Sequence, residues 1–228
     1  MSKSLVVAMT GASGAIYGIR LLEVLISAGY DVHLSVTPAA QQVLDHELEI
    51  SVDLEEFQVS HLLLGDAVET SDSKLNMIRQ SAGISSSDSN VLSFDVGSPG
   101  EIKYHHYQDY MAPIASGSHQ TAGMVICPCS GGTLAAVVNS LSGNLIQRAA
   151  QVHLKEKRPL IVVPRETPVS TLQLECMRKA SEAGICVLPA SPGFYHGVTT
   201  IQDLVDFVVG RILDQLNIEH GMVRRWGS

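Results

Sequence analysis

Five short runs of the chain are apolar nearly throughout, where a half-exposed strand would alternate: "LVVAM", "DVHLSVT", "GMVICP", "RPLIVVP" and "ICVLP". Segments of helical period separate them: Ala15 to about Ala28, a stretch after Pro38, "GGTLAAVV", about Ser170 to Ala183, and Ile201 to about Leu216. A strand apolar on both sides is buried on both sides, and strands that alternate with helices form parallel sheets roofed above and below. The pattern predicts an α/β fold: a single doubly wound parallel sheet with helices on both faces, of Rossmann or flavodoxin type, in one domain over residues 1–228. In such sheets ligands collect at the carboxyl ends of the strands, near the point where strand order reverses.

The loops expected there carry the candidate chemistry. In "VVAMTGASGAIYG" a strand empties into Gly11, Ser13, Gly14 and Gly18 before a helix, which aims backbone N–H groups and a helix dipole at one spot. The loop reads as a phosphate cradle for a nucleotide or flavin, or as a tight turn without a ligand. A dinucleotide is disfavoured. The glycine spacing misses GxGxxG, the second strand ends in Ser35, Val36 and Thr37 with no acid for a ribose, and no Tyr has Lys four residues later. In "CPCSGGTLAA", Ser130, Gly131, Gly132 and Thr133 repeat the arrangement, with simple helix capping by Ser130 as the alternative. In "LIVVPRETPVS", Arg165 and Glu166 follow directly on a buried strand, where opposite charges either pair with each other or face a ligand. Arg148 and Lys155 stand seven residues apart, on one face of a continuous helix. With Tyr195 and Arg211 they form either a cationic phosphate pocket or a solvated charged surface.

Composition narrows the class. Hydrophobic residues make up 45% of the 228, enough for a full core, while a net charge of −8 argues against nucleic acid or anionic membrane as general partners. The N-terminus MSKS lacks a signal-peptide layout and no run is long enough to span a bilayer, so a cytoplasmic protein is expected. Cys127, Cys129, Cys176 and Cys186 sit in or beside apolar runs as reduced thiols, and the "CPC" spacing does not suit zinc, so no metal is expected. About residues 50–103, with "SAGISSSDSN" and "DVGSPGE" loop-like and "VSHLLLGDAV" and "KLNMIRQ" helical, read as a variable surface excursion. His105 and His106 read as surface residues, and Trp226 as docking the C-terminus or a subunit contact.

The strings "MTGASGAIYG", "MAPIASGS", "MVICPCSGGTLAAV", "NLIQRAAQVHLKEKRPLIVVPRETP", "LPASPGFYH" and "DLVDFVVGRILDQL" together resemble the UbiX-type flavin prenyltransferases, formerly described as aromatic acid decarboxylases. They span the first 45 or so residues and nearly everything from Asp109 on; the stretch from about Ile50 to Lys103 departs from the family and looks longer than its pattern. The resemblance implies transfer of a dimethylallyl group from dimethylallyl phosphate to N5 and C6 of reduced FMN, without metal. The product, prenylated FMN, serves a UbiD-type decarboxylase, including in ubiquinone biosynthesis, and the family is typically a homododecamer with sites at subunit interfaces. It further implies flavin contacts at Gly11, Ala12, Ser13, Thr37, Ser130, Gly131, Gly132, Thr133 and Arg165, and a prenyl phosphate clamp of Arg148, Lys155, Tyr195 and Arg211. Ser13, Glu47 and Glu166 resemble its catalytic polar residues, and Tyr110 falls where relatives carry another aromatic. Two alternatives stand beside it. An FMN-dependent cysteine decarboxylase of the same fold would need a His near the first helix and an Asn/Met-rich loop, neither of which is present, and a flavin carrier would bind FMN without chemistry.

Overall fold

The computed structural model describes residues 3–63, 99–195 and 197–222. The apolar runs form β1 (Ser4–Met9), β2 (Asp31–Val36), β4 (Met124–Cys129), β5 (Leu160–Pro164) and β6 (Cys186–Val187), with β3 (Ile102–Tyr104) beside β2. The helices between them are α1 (Ala15–Ser27), α2 (Pro38–Leu48), the short α3 (Val59–Leu62), α4 (Gly131–Val138), α5 (Leu145–Lys155), α6 (Thr171–Glu182) and α7 (Ile201–Gln215). The strands pair in parallel in the order β3-β2-β1-β4-β5-β6. That is the Rossmann order, which decides between the two expected types and puts the reversal between β1 and β4.

Alternation along each strand divides the core in two. Leu5, Val7, Met9, Val125, Cys127, Ile161 and Val163 face a cluster completed by α1, α2 and α7. Val6, Ala8, Met124, Ile126, Leu160 and Val162 face a second cluster completed by α4, α5 and α6. Both sides of β1, β4 and β5 are therefore buried, which is why these runs carry no polar face. Side-chain caps start several helices. Thr37 accepts from the Ala40 N–H ahead of Pro38, Asn144 accepts from Gln147, and Ser170 with Gln173 and Thr200 with Asp203 form capping boxes.

Across the first cluster, Arg20 of α1 is fully buried and reaches Asp206 of α7, Nε to Oδ1 at 2.8 Å, and Glu23 at 3.2 Å. Burial raises the Glu23 carboxyl to about 7 against the pull of Arg20.

Three features differ from the sequence reading. Ile102–Tyr104 is an edge strand, although it falls where loop was expected, because a three-residue strand with Lys103 exposed carries no apolar run. The excursion begins inside the core: Ile50, Val52, Leu54 and Leu62 are buried, and Tyr104 stacks on Phe57 at 3.9 Å and donates its hydroxyl to the Leu54 carbonyl. His105 is part of a chain of imidazoles, with His33 Nδ1 2.8 Å from His105 Nε2 and His33 Nε2 3.1 Å from His119 Nε2. Of the helices expected in the excursion, Val59–Leu62 is present; residues 64–98, with "KLNMIRQ", and Trp226 lie outside the described residues. No helix among the described residues is long and apolar enough to cross a membrane.

Candidate functional site

The crevice at the strand-order reversal lies between the loops that follow β1 and β4. The first passes through Thr10, Gly11, Ala12 and Ser13 to Gly14, whose φ of 101° caps α1 in the left-handed region that glycine tolerates. Gly11 packs so tightly on α2 that an added Cβ would lie 2.4 Å from the Ala39 Cβ. Gly18 lets α1 lie on β4, where a Cβ would meet the Cys127 carbonyl at 2.7 Å.

The anion expected at the start of α1 is already in place, and it belongs to the protein. The Gly14 N–H donates to Glu47 Oε2 at 2.9 Å and to Oε1 at 3.2 Å, and the Ala15 N–H donates to Oε2 at 2.9 Å. A carboxylate from the last turn of α2 thus takes the dipole end of α1. These two N–H groups are thereby engaged within the chain, just after the Gly11–Ser13 stretch that the sequence reading set against a ligand.

On the opposite wall Ser130 caps α4, its Oγ accepting from the Thr133 N–H at 3.3 Å and lying 3.0 Å from Thr133 Oγ1. Capping is real here, as the sequence alternative held, yet it leaves the loop mouth open: nothing lies within 4 Å of where a Gly132 Cβ would sit. Thr37, at the carboxyl end of β2, caps α2 and donates its N–H to the Met9 carbonyl at 3.1 Å.

Arg165 and Glu166 do not pair with each other. Arg165 leaves the end of β5 and donates Nε–H to the Ser13 carbonyl at 3.3 Å, and among the described residues its terminal nitrogens have no further partner. Glu166 is exposed and accepts from Gln173 Nε2 at 3.0 Å, and Gln173 in turn lies 3.2 Å from where a Gly131 Cβ would be. Ser13, Ser130–Thr133, Arg165 and Glu166 therefore converge along one edge, with Glu47 behind Ser13. Gln173 and Thr10 join them and were not singled out from sequence; the capping box of Gln173 was the legible sign of the first.

The four clamp candidates do not come together within one chain. Arg148 and Lys155 ride on α5, which packs on the second cluster, whereas Arg211 rides on α7, which packs on the first, on the other side of the sheet. Arg148 donates Nε–H to the Ala115 carbonyl at 3.0 Å. Lys155 is exposed, pairs with Glu156 at 2.8 Å and closes α5 near the amino ends of the strands. Two residues before it, His153 contacts Thr121 just ahead of β4. A strand of six residues separates that end from the crevice, on the order of 20 Å. Arg211 pairs with Asp214 at 2.6 Å and lines a cavity of about 270 Å³ with Cys186, Leu188, Pro189, Ser191 and Phe207. Tyr195 stands edge-on to the same Phe207, ring centres 5.8 Å apart. Arg211 and Tyr195 thus form one group, and Arg148 and Lys155 another.

The buried thiols offer no nucleophile: burial pushes Cys129 up to about 12 and Cys127 higher still. No group of three or more His, Cys, Asp or Glu side chains able to hold a metal occurs among the described residues.

Comparison with known proteins places the chain. The flavoprotein family model matches residues 1–213. The flavin prenyltransferase UbiX of Halalkalibacterium halodurans is 45% identical over 97% of this chain and 92% of its own length. The crystal structure of AnUbiX in complex with FMN and dimethylallyl pyrophosphate superposes with a TM-score of 0.76 at 31% identity, covering 100% of this chain and 99% of that one. A dodecameric FMN-dependent UbiX-like decarboxylase from Escherichia coli O157:H7 gives 0.74 at 33% identity, over 99% of this chain and 100% of that one. A family model that runs through α6 and into α7, and a relative nearly half identical from end to end, make this chain a member of the flavoprotein family, in its UbiX flavin prenyltransferase branch.

Proposed function

We propose that this chain is a flavin prenyltransferase, moving a dimethylallyl group from dimethylallyl phosphate to N5 and C6 of reduced FMN. The prenylated FMN so made is handed to a UbiD-type decarboxylase, and the enzyme works in the cytosol, in keeping with four free cysteines. The observation that carries the reading is the convergence of Ser13, Ser130–Thr133 and Arg165 at the strand-order reversal of a UbiX-family sheet. The donor set suits a flavin: hydroxyls and N–H groups beside an open loop mouth at Gly132, and a guanidinium whose terminal nitrogens have no partner among the described residues. Reduced FMN, when bound, supplies the nucleophilic N5 and C6.

The remaining work falls to the chain. Gly11, Ala12, Ser13, Thr37, Ser130, Gly131, Gly132, Thr133 and Arg165 hold the flavin, the loops supplying N–H and hydroxyl donors and Arg165 a charge. Glu166, oriented by Gln173, exchanges protons at the crevice mouth, and Glu47, anchored on the Gly14 and Ala15 N–H groups, supports Ser13. Arg148, Lys155, Tyr195 and Arg211 take the leaving phosphate, whose departure from an allylic carbon needs cations on its oxygens. Because they lie on opposite faces of one chain, an assembly of the dodecameric kind known for a relative is the arrangement that gathers them: one neighbour offers Arg148 and Lys155, another Tyr195 and Arg211. Exposed Met111, Leu172 and Phe194 supply apolar surface for such contacts.

The test is anaerobic incubation of the protein with reduced FMN and dimethylallyl phosphate, then mass spectrometry of the extracted flavin. A flavin heavier by one five-carbon unit is expected. Bound flavin of unchanged mass, with both the phosphate and the pyrophosphate donor, would instead identify a carrier.

A further inference from the structure

The seam between β1 and β4 is regular only part of the way up. The two strands pair from Val6↔Met124 through Ala8↔Ile126, and there the ladder stops. Pro128 has no N–H to continue it, and on the other side β4 changes register against β5 between Ile126 and Cys129. Above that point the loops that form the two walls of the crevice would be free to part. Among the described residues, what joins them by hydrogen bonds is one residue. Thr10 donates its N–H to the Pro128 carbonyl at 3.2 Å and its hydroxyl to the same oxygen at 2.9 Å, and its Oγ1 accepts the Ser130 N–H at 2.8 Å. The side chain is 1% exposed, so water cannot stand in for these bonds.

We propose that Thr10 is a positioning residue for flavin binding: its hydroxyl sets the separation between the Gly11–Ser13 wall and the Ser130–Thr133 wall. This rests on the reading of the crevice as the flavin site. A threonine hydroxyl has one proton and two lone pairs; here the proton goes to Pro128 and one lone pair takes Ser130. The same bond decides which donors remain for a ligand. The Ser130 N–H is consumed, and its hydroxyl faces Thr133 Oγ1, so the Gly131 and Gly132 N–H groups are the backbone donors that the α4 end presents. Valine at this position keeps the shape but leaves the Ser130 N–H and one of two bonds to Pro128 unmade in a dry place; serine keeps the hydroxyl.

The test compares Thr10→Val and Thr10→Ser with Val32→Ala, a buried change at the amino end of β2, far from the crevice. Hydrogen exchange of the amides from Ser130 to Leu134 is read on the protein alone, FMN affinity by titration, and the KM values for FMN and for the prenyl donor in the transfer assay. Thr10→Val is expected to speed exchange at Ser130 by about tenfold or more and to weaken FMN by about tenfold to a hundredfold. The donor KM stays in place, and Thr10→Ser stays within about threefold of the parent on every readout. Val32→Ala should lower Tm without moving FMN affinity. The inference is overturned if Thr10→Val exchanges and binds like the parent, or if Val32→Ala loses as much FMN affinity, since the effect would then be general softening. Should Thr10→Val not fold, Thr10→Cys, with a weaker donor and longer bonds, takes its place and should fall between serine and the expectation for valine. If the parent protein binds no FMN, the flavin reading is what fails, and the exchange at Ser130 still decides whether Thr10 holds the seam.

Discussion

At the carboxyl edge of the sheet, Arg165 meets Ser13 across 152 residues of sequence and Ser130 meets Thr10 across 120; on the flanks, Arg148 with Lys155 and Tyr195 with Arg211 stay apart by the full thickness of the sheet. The difference lies in what carries each group. Crevice residues sit on strand ends and the first residues after them, so the parallel sheet carries them to one edge, where the Thr10 bonds join the two walls. Clamp residues sit along or at the ends of helices, or on a loop leading into one, and their positions say nothing about one another until a second chain arrives. On the proposed reading one half of the site is a property of the fold and the other a property of the assembly, and Arg20 is where the two touch: it ties α1, which starts at the Ser13 loop, to α7, which carries Arg211.

Cutting that tie should give the largest effect. Arg20→Met leaves Asp206 and Glu23 buried without their cation, and loss of one partner of a buried pair costs about 3–5 kcal/mol. Urea unfolding should show it, and Arg20→Met with Asp206→Leu should recover most of the loss. A cost under about 1 kcal/mol would mean that α1 and α7 are held by apolar packing alone and that the two halves of the site are mechanically separate.

The clamp itself comes next. Lys155→Ala and Arg211→Ala should each slow prenyl transfer by about 10²–10³, with FMN binding unchanged. Mixing sharpens the comparison. If, as proposed, Lys155 and Arg211 reach a crevice from different neighbours, co-expressing the two variants should restore about a quarter of the sites by random assembly. Absence of any recovery in confirmed mixed oligomers would show that both residues come from one chain and that the geometry of the flanks has been misread.

How much of this the sequence revealed follows the same division. Long buried runs announced β1, β4 and β5, and helix limits came out within a residue: Ala15–Ser27 for a reading of Ala15 to about Ala28, Thr171–Glu182 inside Ser170 to Ala183. The edge strand Ile102–Tyr104 was illegible because a partner on one side only demands no apolar run. Arg165 was legible, since a charge immediately after a buried strand must point somewhere. Glu47 on the α1 terminus was not, because a cap normally lies within three residues of the helix it caps and this one comes from 33 residues away. Thr10 sat in plain view within "MTGASG", but its role exists only once β1 lies beside β4. His105 looked like surface because its partner His33, itself bonded to His119, arrives from β2, 72 residues away in the chain.

That imidazole chain gives the smallest effect, and one with a definite sign. Burial, with His105, His119 and Lys103 nearby outweighing Asp31, lowers His33 to about 4, from an ordinary value near 6.5. Below pH 6.5 the unfolded chain takes up the proton first, so stability falls as pH drops from 6.5 toward 4. Glu23 works the other way: raised to about 7, its carboxyl is protonated in the folded state before the unfolded one, and its contribution is lost as pH climbs from 4.5 to 7. The two partly cancel between 4.5 and 6.5 in the parent protein, which is why variants separate them better than a simple pH scan. His33→Phe loses the hydrogen bonds to His105 and His119 at every pH but no longer resists a proton, so its deficit against the parent should be widest near pH 7 and shrink steadily toward pH 4 in urea titrations. A deficit that stays constant across that range would mean that His33 titrates normally, and that the chain of imidazoles opens to water at no cost.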